Sequence, residues 1–234
     1  MFFLIIVGKI ESINSYNMHQ NVNNLVLIKD LIKDKSKKDE LPTIIAVSKK
    51  FKMSEILPLI NYGHENFGEN QVQEALEKWT DIKNDFKTIK LHMIGKLQTN
   101  KVKYVVPLFD YIHSLDNLKL AKKISEEQNK FKKILKIFIQ VNIGNEDQKN
   151  GIDVKDLDEF YKKCVFDFRL NIIGLMCLPP KDNNNKEYFL KMKNLIKILN
   201  IQELSMGMSN DYLEAVENGA TFVRIGSKIF GDRN

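Results

Sequence analysis

Lys49, Ser209, Arg224, Gly226 and Ser227 are the residues of this chain whose types and spacing suit chemistry on a phosphorylated ligand. The last four fall in one stretch, SMGMSNDYLEAVENGATFVRIGSKIFG (205–231), which reads as strand, turn, helix, strand, turn. Asn218-Gly219 closes the helix with a left-handed cap. The two strands are then parallel and end side by side, with Met208-Ser209 after one and Gly226-Ser227 after the other. Backbone N–H groups at two adjacent helix starts make an anion site. Taken singly, each serine reads better as an N-cap. Arg224 argues for more: of 36 basic residues only Arg169, Arg224 and Arg233 are arginines. An arginine inside an apolar strand, two residues before Gly226 and on the same side of it, suits a task needing a planar fork of donors.

Lys49 ends the apolar run TIIAVSK, and a charge at the end of a buried strand is unusual without a function. A lysine facing a phosphate site points to an aldehyde-bearing phosphate cofactor held as an imine, since desolvation lowers a lysine pKa and frees the amine as a nucleophile. Read alone, Lys49 is one more surface lysine. The remaining motifs are weaker. Gly95-Lys96 lacks the glycine-rich run of a Walker loop. His64, His92 and His113 have no metal-ligand spacing, so no metal is expected. Glu69 and Asp116 read as acids at helix starts, which favour the positive end of the helix dipole.

These residues need a frame that brings distant strand ends together. Residues 19–34 place Val22, Leu25, Val26, Ile28, Leu31 and Ile32 near helical spacing, giving a first helix. From there apolar strands alternate with helices: 42–49, 64–68, 91–95, 110–116, 136–144, 171–178, 204–208 and 222–226. Asn70 is expected to cap the second of the intervening helices, with Gln73 at the capping-box position, and Pro107 to stop the third. Eight near-continuous apolar strands separated by helices argue for parallel pairing, and eight close a barrel. In a (β/α)8 barrel, chemistry gathers at the C-terminal strand ends and phosphate commonly binds after the last two strands. Those ends offer Lys49, Asn70, Lys96, His113, Asn142, Met176, Ser209, Arg224 and Ser227. An open doubly wound sheet carries its glycine-rich loop after the first strand, where this chain has Ser48-Lys49-Lys50.

Composition sets the bounds. A chain of 234 residues with 43% hydrophobic content suits one such barrel. Its net charge of +6 comes from lysines spread along the chain among 30 acids, without the clustered arginine-bearing face of a nucleic-acid binder. Cys164 and Cys177 lie in apolar segments and read as reduced packing residues of an intracellular protein. The start, MFFLIIVGKIES, is too short in its apolar run to span a bilayer and lacks the form of a signal peptide. Residues 1–16 are therefore expected to lie outside the fold, and residues 17–234 to form the barrel.

The segments AVSK (46–49), FGENQVQE (67–74), HMIGKLQTNK (92–101), QVNI (140–143), GLM (174–176), LSMGMSND (204–211) and VRIGSKIFG (223–231) are specific and collinear. On them the chain resembles the pyridoxal 5'-phosphate homeostasis proteins (YggS/PROSC) over about residues 20 to 232. The resemblance implies a single fold-type III barrel, like the N-terminal domain of alanine racemase, without that enzyme's C-terminal β-domain. It implies pyridoxal 5'-phosphate as cofactor, bound as an internal aldimine on Lys49. It further implies phosphate contacts from Ser209, Gly226 and Ser227, Arg224 beside the pyridine nitrogen and Asn70 near the ring. A guanidinium donates and takes no proton, so Arg224 would keep that nitrogen unprotonated and weaken carbanion chemistry. A cytoplasmic carrier or buffer of the cofactor with little or no turnover follows, a monomer or weak dimer whose partners are pyridoxal-phosphate-dependent apoenzymes rather than nucleic acid or membrane. Two alternatives stay open: an amino-acid racemase-type enzyme with a second base, and a phosphosugar-type barrel enzyme using Lys49.

Overall fold

A computed structural model describes residues 18–36, 40–146, 150–182 and 184–232. The expected extension 1–16 lies outside the described residues. A helix, α1 (Gln20–Lys35), comes first and buries Val22, Leu25, Ile28 and Ile32. Then β1 (Thr43–Val47), α2 (Met53–Asn61), β2 (Asn66–Glu69), α3 (Val72–Trp79), α4 (Ile82–Asp85), β3 (Lys90–Met93), α5 (Val102–Leu108), β4 (Tyr111–Leu115) and α6 (Leu118–Phe131) form the first half. The second half comprises β5 (Lys136–Asn142), β6 (Ile152–Asp153), α7 (Leu157–Lys162), β7 (Ile172–Cys177), α8 (Asn185–Leu199), β8 (Glu203–Met208), α9 (Tyr212–Glu217), β9 (Phe222–Ile225) and α10 (Ser227–Phe230).

The strands run in the order β4-β3-β2-β1-β9-β8-β7-β5, and β4 pairs β5 to close the ring. Every pairing is parallel. The two-residue β6 adds to the C-terminal end of β5, Val141 opposite Ile152. All eight expected strands are present, and the closed parallel barrel is the architecture the apolar runs implied. Such strands carry apolar residues on both faces because one face fills the barrel and the other packs under helices. The outer layer is a large cluster joining strands and helices, whereas Ile45, Phe138, Met176 and Phe222 fill the inside.

Local signals account for several boundaries. Asn117 caps α6 by accepting from the Leu120 N–H at 2.8 Å, and Lys132 ends that helix in the left-handed region at φ 50°. Gly219, at φ +100°, follows α9 as expected. Two expectations are corrected. Gln71, not Asn70, is the N-cap residue of α3, without a side-chain cap, and Gln73 pairs instead with Glu77 at 3.0 Å. Pro107 does not stop α5, because it falls in the last turn, where Phe109 N–H still closes on the Val105 carbonyl at 2.8 Å.

Candidate functional site

The C-terminal ends of β1, β2, β8 and β9 surround a cavity of about 880 Å³ lined by Lys49, Asn70, Ser209, Arg224, Gly226 and Ser227, with Ile94, Leu178 and Pro180 as apolar wall. All six expected binding residues thus face one space. Their adjacency follows from strand order: β9 lies between β1 and β8, with Ala46 opposite Ile225 and Met208 opposite Arg224. Between Ser205 and Met208 the β8–β9 register shifts, and Gly207 sits there at φ +89°. A glycine in that conformation suits a bulge, which redirects the residues that follow.

Ser209 is the residue redirected. Its hydroxyl accepts the Gly226 N–H at 3.2 Å, bridging the two loops. The expectation that Ser209 starts a helix is corrected: α9 begins at Tyr212 after Asp211, whose carboxylate accepts the Met208 N–H at 2.6 Å. Ser227 is the first residue of α10 and caps nothing, the N-cap position being Gly226. Two serine hydroxyls at the ends of β8 and β9 flank the Gly226 N–H, which an anion would take over from Ser209 Oγ.

Arg224 is 5% exposed. Its guanidinium donates to Ser205 Oγ at 2.7 Å and to the Cys177 carbonyl at 2.8 Å. Among the described residues no carboxylate lies within ion-pair distance of it. Burial lowers its pKa, against the weaker pull of Cys177 and Asp211.

Lys49 rides on a tight turn that other charges secure. Lys50 adopts φ 67°, and Phe51 N–H returns to the Ser48 carbonyl at 3.1 Å. Below the turn, Lys78 donates to the Ser48 carbonyl at 2.8 Å and pairs with Glu69 at 2.7 Å and Glu74 at 2.9 Å. The Glu74 carboxylate also accepts the Lys50 N–H. Glu69 is fully buried and takes bonds on Oε1 from Ser48 Oγ at 2.7 Å and Trp79 Nε1 at 3.0 Å. Burial raises its pKa against the pull of Lys78 and these donors. Glu69 is therefore no helix-start acid, as its position suggested; it is the centre of the cluster under the lysine turn. Phe51 stacks on Phe230 at 4.7 Å and ties the turn to α10.

The match with the family described as alanine racemase, N-terminal domain, runs over residues 18–234. The pyridoxal phosphate homeostasis protein of Aquifex aeolicus (strain VF5) is 37% identical over 199 residues, covering 81% of this chain and 86% of that protein. The chain belongs to the pyridoxal phosphate homeostasis protein family. Among solved structures, PipY of Synechococcus elongatus PCC7942, in the form with pyridoxal phosphate bound, superposes with a TM-score of 0.80 at 30% identity, over 91% of this chain and 100% of that one. Alanine racemase of Clostridium difficile 630 superposes with a TM-score of 0.67 at 16% identity, over 90% of this chain and 57% of that one, a likeness of fold.

Within this member of the homeostasis protein family, other strand-end residues take different places. His113 and Met176 are buried, Met176 packing in the barrel interior. His113 joins His92 and Ser205 in hydrogen bonds there. Asn142 bonds the Glu146 backbone, and Lys96 is exposed away from the cavity. Sequence reasoning missed Ser205, Lys78 and Glu74. A serine inside the apolar run LSMG was the available signal for Ser205. Nothing local marked the other two.

Proposed function

We propose that this chain binds pyridoxal 5'-phosphate in the cavity at the C-terminal mouth of the barrel and serves as a carrier or buffer of it. The observation that carries the reading is Arg224, a buried guanidinium with no carboxylate at ion-pair distance among the described residues, facing the same space as Lys49 and the Ser209–Gly226–Ser227 loops. A buried cation of this kind calls for an acceptor from a ligand, because leaving it uncompensated is costly. The pyridine nitrogen of pyridoxal phosphate is such an acceptor, its phosphate suits the two serine loops, and its aldehyde suits an amine at the rim.

When bound, the cofactor supplies an aldehyde that condenses with amines. The residues of the chain do the rest. Lys49 provides the amine. Ser209, Ser227 and the Gly226 N–H hold the phosphate, Arg224 keeps the ring nitrogen as an acceptor, and Asn70 borders the ring. The titratable residues lining the cavity are Lys49, Lys181, Asp211, Arg224 and Asp232. Asp211 is engaged by the Met208 N–H and by Asn185 at 3.2 Å, so it is held as a structural acceptor. That lining supports holding a cofactor over racemase-type proton traffic. PipY has pyridoxal phosphate bound, which supports the same ligand here. No helix among the described residues is long and apolar enough to cross a membrane. Delivery to pyridoxal-phosphate-dependent apoenzymes in the cytoplasm is the role proposed.

The test is an absorption spectrum of the protein after incubation with pyridoxal phosphate and removal of the excess, before and after borohydride. A visible band that collapses on reduction, with the reduced adduct mapped to the Lys49 peptide, is expected. An adduct on another lysine, or no band, overturns the reading.

A further inference from the structure

Behind Arg224 the barrel interior holds a line of polar side chains that the binding reading does not use. It runs from Arg224 on β9 through Ser205 on β8 and His113 on β4 to His92 on β3 and Asn66 on β2. The donor in each link follows from the first. A guanidinium has only donors, so Ser205 Oγ accepts from Arg224 at 2.7 Å. The serine proton then goes to its other neighbour, His113 Nδ1 at 2.8 Å. A neutral imidazole that accepts on Nδ1 carries its proton on Nε2, and His113 Nε2 faces His92 Nδ1 at 3.0 Å. His92 likewise accepts on Nδ1 and donates from Nε2 to Asn66 Oδ1 at 3.1 Å. The line ends on an acceptor that needs no further donor.

Any other assignment breaks a link. A proton on His113 Nδ1 would leave the Ser205 hydroxyl proton without an acceptor among these groups. A second proton on His92 would set N–H against N–H across 3.0 Å, and a second proton on His113 would fall on Nδ1 and face Ser205 Oγ in place of the hydroxyl proton's acceptor. The surroundings agree: both rings are fully buried, His92 stacks on Tyr111 at 4.2 Å, and His113 stacks on Phe138 at 4.3 Å. Among the described residues no carboxylate bonds either ring. Buried polar chains of this sort are rigid when every member is satisfied.

We propose that Ser205, His113 and His92 are positioning residues that hold Arg224 as a one-way hydrogen-bond donor to the cavity, so that the site selects a ligand whose ring presents an acceptor. With Ser205 Oγ and the Cys177 carbonyl both accepting, the guanidinium is fixed in plane and cannot swing toward a competing carboxylate. The statement about the ligand rests on pyridoxal phosphate as occupant; the direction of the hydrogen bonds does not.

Two measurements separate these parts. Long-range proton–nitrogen correlation spectra of the ¹⁵N-labelled protein, recorded without ligand at neutral pH, report each histidine's tautomer. Two neutral Nε2–H rings are expected, with the His113 Nδ1 resonance moved in Ser205→Ala and restored in Ser205→Thr. An Nδ1–H tautomer or an imidazolium at either position overturns the relay, whatever the protein binds. In the second measurement, the wild type prefers pyridoxal phosphate over its 1-deaza analogue, which lacks the ring acceptor, by about tenfold, the worth of one charge-assisted hydrogen bond. Ser205→Ala reduces that preference to about unity, and Ser205→Thr restores it. An unchanged preference in Ser205→Ala overturns the positioning role. A wild type that binds neither compound overturns the proposed function, while the tautomers still decide the relay.

Discussion

Lys78 reaches beneath the lysine turn and donates to the Ser48 carbonyl at 2.8 Å, one residue before Lys49. The same ammonium neutralises Glu69, which has no exposed surface. Removing one partner of a buried pair leaves the other charged and dry, at a cost of about 3–5 kcal/mol. Lys78→Met is expected to lose stability on that scale in urea unfolding. The double variant Lys78→Met with Glu69→Gln should recover part of it, since the charge is gone. A single variant as stable as the wild type would show that the cluster does not hold the turn.

Lys49→Ala removes the amine that the turn presents to the cavity, leaving Lys181 in its lining. The phosphate loops and Arg224 remain, so reversible binding of pyridoxal phosphate should persist more weakly while the borohydride-sensitive visible band disappears. Lys49→Arg, which keeps the charge, should also lack the band. A band that survives in either variant would assign the attachment elsewhere.

Gly95 lies in the motif HMIGKLQTNK, and the reason for a glycine there is the neighbouring chain. A Cβ at Gly95 would stand 2.3 Å from the Asn70 carbonyl oxygen and 2.7 Å from Asn70 Cα. Gly95→Ala must therefore displace Asn70, with a destabilisation of about 1–3 kcal/mol typical of overpacking. Pyridoxal phosphate affinity should fall by several-fold, with the far-ultraviolet circular dichroism unchanged. Wild-type affinity and thermal midpoint together would show that Asn70 does not shape the cavity.

His64 gives the molecule an acid-sensitive term. Burial lowers its pKa from 6.5 to about 4, against the Asn66 carbonyl at 2.9 Å, which favours its protonated form. Between those values the unfolded chain takes up a proton that the folded one refuses. Stability is thus fully present above pH 6.5, falls as pH drops toward 4 and levels off below it, a loss of about 3 kcal/mol from this group. Burial lowers the His92 and His113 pKa values as well, in the same direction. His64→Gln should flatten part of the slope of urea midpoint against pH in this window; an unaltered slope would remove His64 from the account.

The barrel was legible because each of its strands is buried on both sides. That demand writes itself into local composition as runs such as TIIAV and KIFIQVN, and Asn117 marks a helix start with its own side chain. Lys49 and Arg224 stood out as charges within apolar segments. Ser209 was legible as a phosphate candidate but misplaced as a helix start, because the shift at Gly207 depends on how β8 registers against β9, a property of two strands. Glu69 was misread for a similar reason, its meaning resting on Lys78 and Trp79 packed behind it. His113 and Ser205 are 92 residues apart in the chain, and no window along it contains their relation.

The indole bonded to Glu69 belongs to the single tryptophan of the chain. Its emission therefore comes from one place, directly beneath the turn that carries Lys49. The molecule carries its own optical gauge: loading of the rim, loosening of the charges below it and unfolding of the whole can each be followed by intrinsic fluorescence, without a dye or a label.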